Sequence, residues 1–319
     1  MTALTHLLLV SKSVEHEQAL FDWTLNLAQN QGAKVSVLRV LPEMDQGVFS
    51  WFDELIPEEV KARQKQAVLA EFEGWYTQAK AAGVTLEIQV EFGKLFYRAI
   101  QYVLNQSVDW LIKQTDEASH TLTAHIFDSH DLHLLRKCPC PVLLHKHGTS
   151  LPFQKVMACI DVDLDADLTK PDVFNQTILK TALKVVEQDG ANLEVLHAWQ
   201  ADTENWVRYW NTDLPEKALF QFREGVRNQH LKAVEVEIEA LNAPQITMEP
   251  VLPKGEAAKV IPPIVALHQV DLLVMGTLGR DGLPGMIIGN TSESILEQVN
   301  CSVLALKPSH FVSPVKAFL

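Results

Sequence analysis

The chain has 319 residues, 47% of them hydrophobic and 21% charged, with a formal net charge of −13. That composition is too apolar for a disordered chain, and the length suggests two domains of ordinary size. The negative charge, with no basic run or basic–aromatic block to offset it, argues against nucleic-acid binding, which depends on cations that neutralise phosphates.

The first apolar run, HLLLVSK (6–12), reads as a buried strand, and GAKVSVLRV (32–40) and VDWLIKQT (108–115) follow with the same character. PVLLHK (141–146) closes this first half, and HKHGTSLPFQ (145–154) breaks the patterning with Gly, Ser and Pro. The second half opens on the strand VMACIDV (156–162) and a helix over 173–188 that ends at Gly190. A strand at 192–199, a long helix within 215–241 and a strand at 246–252 come next. Residues 256–269 form a helix interrupted by Pro262 and Pro263, then DLLVMG (271–276) a strand, 291–299 a helix and SVLALK (302–307) the last strand. This alternation predicts an α/β fold, a doubly wound five-stranded parallel sheet in each half.

The halves are copies. GAKVSVLRV answers GANLEVLHA (190–198), VDWLIKQT answers VDLLVMGT (270–277), and CPVLLHK (140–146) answers CSVLALK (301–307). Gly93 precedes LFYRAI as Gly255 precedes AAKVI. Four matches in one order, offset by about 160 residues, imply duplication of a whole domain. The expected domains are 1–148 and 153–319.

Only the second copy carries a glycine-rich turn. DLLVMG ends at Gly276; Gly279 follows and, after nine intervening residues, Gly289-Asn290-Thr291-Ser292 opens a helix. Glycines at the carboxyl end of a parallel strand let backbone N–H groups approach a phosphate, and the helix N-terminus adds free donors and a positive dipole. Thr291 and Ser292 can donate hydroxyls or cap that helix. The first copy has KQTDEASHTLTAHIFDSHD (113–131) there, without glycine and with acids that repel phosphate.

This turn, G-x2-G-x9-G, resembles the nucleotide-binding turn of the universal stress protein family, and the likeness extends over essentially the whole chain. The family has Ser or Thr after the last glycine, where this chain has Asn290. The tandem arrangement, HLLRKCP (133–139) and the Gly289-Asn290 ending resemble the family's tandem-domain members. The resemblance implies that Asp161 lies beside an adenosine and that backbone groups of Leu196 and His197 meet the adenine. It further implies that Gly276, Gly279, Gly289, Asn290 and Thr291 surround the phosphates. The first copy has Ser11-Lys12 where Asp161 stands, so both parts of its pocket are degraded. The resemblance also implies that PVLLHK and SVLALK pair within the chain as an internal pseudo-dimer.

No apolar stretch nears the roughly 20 residues that span a bilayer, and MTALTHLLLVSKS lacks a basic n-region, so a cytoplasmic location is expected. Four cysteines in so long a chain are no disulfide framework. The run Asp161, Asp163, Asp165, Asp167 lacks the central glycine and terminal glutamate of a calcium loop and reads as a solvated loop. His120, His125, His130, His133, Cys138, Cys140, His145 and His147 lack the spaced pairs of a structural zinc site, so no metal is expected. The aromatic loops WFDEL (51–55) and WVRYWN (206–211) suit either packing or a lid.

The turn has no Walker lysine and the chain no assignable catalytic constellation. The expected function is a non-catalytic stress-response protein that binds an ATP- or AMP-type nucleotide, or another phosphorylated ligand, in its second domain and is read by protein partners. No cofactor is required. A non-nucleotide module that binds an apolar or lipid-like ligand or a partner protein is the alternative, and a slow ATPase a further one.

Overall fold

In a computed structural model, residues 3–43, 57–116, 127–201, 215–278 and 288–316 are described. They form two compact units, Met1–Pro152 with Ser309–Leu319, and Phe153–Pro308. The C-terminal tail therefore belongs to the first unit, not to the second domain that the sequence carried to residue 319. It is held there by the Ser313 hydroxyl, which donates to the Lys137 carbonyl at 2.7 Å, and by the Gln101 amide, which donates to the Lys316 carbonyl at 3.5 Å.

The first unit has strands β1 (His6–Ser11), β2 (Lys34–Leu41), β3 (Leu86–Phe92), β4 (Trp110–Gln114) and β5 (Val142–His145). Its helices are α1 (Gln18–Gln31), α2 (Pro57–Glu71), α3 (Glu73–Ala82), α4 (Leu95–Gln106) and α5 (Ser129–Lys137). The strand order is β3-β2-β1-β4-β5, all parallel. Side chains of β1 and β5 are buried throughout, as expected of strands covered on both faces. The core also holds Phe21, Phe72 and Trp75, with Phe21 stacked on Trp75 at 4.1 Å between ring centroids.

The second unit repeats this plan with β6 (Lys155–Cys159), β7 (Asn192–Leu196), β8 (Met248–Val251), β9 (Leu272–Gly276) and β10 (Ser302–Leu306). Its helices are α6 (Val173–Asp189), α7 (Glu216–Glu239), α8 (Ala257–His268) and α9 (Asn290–Gln298). The order is β10-β9-β6-β7-β8, again all parallel. The duplication holds to the residue: Leu7 pairs with Trp110 in the first unit as Val156 pairs with Leu272 in the second. Gly32 and Gly190, matched in the sequence repeat, close α1 and α6 in the left-handed region at φ 69° and 67°, where a side chain is strained.

One helix differs from expectation. α8 runs without a break through Pro262 and Pro263. The missing N–H of Pro262 would leave the Ala258 carbonyl without its partner four residues on, and the Gln298 amide of α9 donates to it at 3.4 Å.

Candidate functional site

In a doubly wound sheet, ligands lie beyond the carboxyl ends of the strands where the order reverses. In the second unit that point falls between β6 and β9. A cavity of about 400 Å³ opens there, lined by the residues after β6, the end of β9 and the first turns of α6, α8 and α9.

Asp161 follows β6 and lines this cavity. Its backbone is bracketed by one side chain: the Asn175 amide donates to the Asp161 carbonyl at 2.7 Å, and the Asn175 oxygen accepts from the Asp161 N–H at 3.2 Å. Asn175 sits in the first turn of α6, whose cap is Asp172; one carboxylate oxygen accepts from the N–H groups of Phe174 and Asn175, both at 2.8 Å. Behind them the buried Glu237 of α7 accepts from the Asp172 N–H at 2.7 Å and from the amides of Asn175 and Gln176 at 3.2 and 2.9 Å. With three donors the buried Glu237 side chain has its hydrogen bonds satisfied, and it ties α7 to the position of Asp161.

The other wall is the start of α9. Gly289 is its N-cap at φ −80°, and no side chain caps the helix. The Gly289 N–H donates to the Thr277 carbonyl at 2.8 Å, and the Ser292 hydroxyl donates to the Gly276 carbonyl at 3.1 Å, so the helix start is clamped to the end of β9. Gly276, Gly289, Asn290, Thr291 and Ser292 all line the cavity. A Cβ at Gly276 would lie 2.6 Å from the Phe174 ring, whereas one at Gly289 would meet nothing closer than 3.7 Å.

Of the residues singled out in the sequence, Asp161, Gly276, Gly289, Asn290 and Thr291 come together here. Gly279 lies outside the described residues. Leu196 and His197 do not line the cavity: the Leu196 carbonyl accepts from the Ile160 N–H at 3.0 Å and the His197 N–H donates to the Val251 carbonyl at 3.0 Å, both as sheet bonds. The His197 ring is buried against His230, Nε2 to Nδ1 at 2.9 Å. Ala198 and Gln200 line the cavity instead. Phe174 and Asn175 were not singled out; the signal that could have found them is the capping Asp172 just ahead of a helix that starts beside a strand end. The Cys159 thiol also lines the cavity, with burial and the nearby Cys301 pushing its pKa up and keeping it protonated.

The matching place in the first unit is built from charges. By the strand register and the repeat, Lys12 stands for Asp161, Lys113 for Met275, Gln114 for Gly276, Asp128 for Gly289 and Asp131 for Ser292. Asp128 caps α5 and makes a reciprocal capping box with Asp131. The Lys113 ammonium lies 2.8 Å from the Asp131 carboxylate, both side chains 0% exposed, and also donates to the Gln114 carbonyl. Burial pushes the Asp131 carboxyl up, against the pull of Lys113. Lys12 pairs with Asp116 at 2.6 Å and Asp128 at 3.6 Å. Burial, the largest single influence, works against its ammonium, but the bond to Asp116 and the negative charges of Asp116, Asp128 and Asp131 together outweigh it and raise its pKa.

The acids after Asp161 serve their own loop: Asp163 accepts from the Asp165 N–H, and Asp167 accepts from Thr169 and pairs with Lys170 at 3.0 Å. In the first unit, His130 and His133 flank Phe96, and the Cys138 and Cys140 sulfurs lie 3.6 Å apart. No group of three or more metal-ligating side chains forms among the described residues. His120, His125 and both aromatic loops fall outside them. Nor is any helix among them long and apolar enough to cross a membrane.

The model of the universal stress protein family matches residues 5–146 and 153–307. Universal stress protein E of Salmonella typhi is 28% identical over 323 residues, 99% of this chain and 98% of that protein. Its counterpart in Escherichia coli is 27% identical over 325 residues, with the same coverage. Among solved structures, a universal stress protein from Archaeoglobus fulgidus superposes with a TM-score of 0.61 at 18% identity, covering 95% of this chain and 98% of that one. A Pseudomonas aeruginosa protein of unknown function superposes with a TM-score of 0.67 at 19% identity, covering 97% and 94%.

Proposed function

Since the chain belongs to the universal stress protein family, with two such domains in tandem, we infer that it is a cytoplasmic, non-catalytic stress-response protein whose second domain alone binds a small ligand. The ligand is a nucleotide or another phosphorylated molecule, held between Asp161 and the N-terminus of α9, and the loaded state is read by protein partners. One observation supports this reading above the others. The start of α9 has no side-chain cap and faces a cavity, with Gly289 leaving its Cβ space open. The first four N–H groups of a helix have no partners within it, and an anion in front of them satisfies donors and dipole together. In the first unit Asp128 supplies that negative charge from within the chain, so that domain has no use for a phosphate.

Titration calorimetry of the full chain with ATP, ADP and AMP tests the reading, together with mass spectrometry of whatever co-purifies. Binding that Gly289→Val abolishes while the fold persists supports it; absence of all nucleotide binding, with no phosphorylated molecule in the co-purified fraction, overturns it. A second reading, an apolar ligand, draws on the cavity wall of Ile160, Phe174, Ile178, Ile261, Met275 and Leu278. A lipid-like molecule in the co-purified fraction would favour that reading.

A further inference from the structure

The repeat sets one position at a helix start against the residue after the first strand in both units, and the units use it differently. Counted back from the matched glycines Gly32 and Gly190, Glu17 of the first unit stands where Asn175 stands in the second. Both Glu17 side-chain oxygens accept from the Lys12 N–H at 3.1 Å, and the Asn175 oxygen accepts from the Asp161 N–H at 3.2 Å. An amide can also donate, and Asn175 does so to the Asp161 carbonyl at 2.7 Å, holding that residue on both sides. The Asn175 nitrogen also donates to Glu237 at 3.2 Å. Glu237 is 5% exposed and accepts the Asp172 N–H and the Gln176 amide as well. Turned over, the Asn175 amide would set its oxygen against the Glu237 and Asp161 oxygens, acceptor against acceptor. Glu237 therefore helps to fix which way the amide faces. Asn175 lines the cavity but is 3% exposed, and both of its amide hydrogens are committed within the chain.

We propose that Asn175 and Glu237 are positioning residues of this cavity, holding the backbone at Asp161 in the orientation from which its side chain meets the ligand. The proposal rests on the reading of the cavity as a nucleotide site in which Asp161 takes part. A residue bonded at both its N–H and its carbonyl keeps the direction of its side chain, and that order is built before the ligand arrives. Asn175 acts through Asp161, and Glu237 acts through Asn175.

The test is calorimetry on the full chain with whichever of ATP, ADP and AMP binds the natural protein most tightly, with circular dichroism confirming each fold. Asn175→Ala is expected to weaken binding about tenfold, the equivalent of one hydrogen bond's net contribution. In the Asp161→Ala background the same change is expected to cost less than about twofold, because its effect on the ligand passes through Asp161. Glu237→Gln keeps a side-chain oxygen for the Asn175 amide and retains binding, whereas Glu237→Leu removes it and loses as much as Asn175→Ala. That conservative rescue carries the test if Asn175→Ala does not fold or Asp161→Ala leaves no binding to measure. Affinity unchanged by Asn175→Ala, an equal loss in both backgrounds, or Glu237 variants that bind alike overturns the proposal. Binding that Gly289→Val still abolishes then leaves the nucleotide reading standing. No binding of any of the three nucleotides to the natural protein overturns both.

Discussion

Replacing Lys113 by Met, the residue at the matching position of the second unit, removes the cation from a fully buried pair and leaves Asp131 facing the interior. The ammonium–carboxylate distance is 2.8 Å, neither side chain reaches solvent, and Lys113 also satisfies the Gln114 carbonyl. Breaking such a pair on one side costs about 3–5 kcal/mol, because the remaining charge is buried without compensation. Replacing both members, Lys113→Met with Asp131→Ser after the second unit's Met275 and Ser292, removes the uncompensated charge and is expected to recover most of the loss. Urea denaturation followed by circular dichroism measures both variants against the natural protein. Burial already pushes the Asp131 carboxyl up, and without Lys113 it rises further. A carboxyl whose folded pKa exceeds its unfolded one favours the folded state at low pH and loses that contribution as pH rises, so the single-variant penalty shrinks on acidification. A single-variant cost under about 1 kcal/mol, the range of an exposed ion pair, would refute the view that this pair is sealed from solvent and satisfied internally. So would a double variant no more stable than the single one.

Burial lowers the pKa of His145 from 6.5 to about 4, and His6 shifts the same way for the same reason. The unfolded chain therefore binds more protons between those values, and stability falls as pH drops from about 6.5 towards 4, by about 3 kcal/mol from His145; urea midpoints across that range should show the fall, and His145→Gln should flatten it. Gly276→Ala drives a methyl group into the Phe174 ring and should cost about 1–3 kcal/mol in thermal melts. Gly289→Ala meets no such obstacle and should cost under about 1 kcal/mol, while weakening nucleotide binding by calorimetry; equal stability losses at the two glycines would contradict the different roles assigned to them. Ser107 and Gln269, at matching helix ends, hold left-handed φ values of 49° and 55°. Changing either to Gly should gain about 0.5–1 kcal/mol, the relief of left-handed strain less the entropy cost of glycine, visible as a higher Tm.

Much of the site was legible because its signals are local. The helix that opens at Gly289 and the strand that ends at Gly276 are both read from periodicity and spacing, and the structure joins them across the cavity. Leu196 and His197 show where that reading stops. Successive residues of a strand face opposite sides, so identifying the right strand end does not identify the residue that meets a ligand. His197 is turned to His230 and the cavity falls to Ala198 and Gln200. The Pro262-Pro263 pair reads as a helix break until Gln298, 36 residues downstream by their numbering, is placed against Ala258.

By itself the sequence determined the duplication, the order of strands and helices, and which copy retains a glycine turn, since each follows from patterns along the chain. Tertiary structure alone decided what stands at the two matching strand ends. In the first unit Asp128, Asp131 and Lys113 close the site with the chain's own charges; in the second, Gly289 leaves the helix start open while Phe174 takes the room over Gly276. Those outcomes depend on side chains far apart in sequence meeting at one point, and packing between elements sets them.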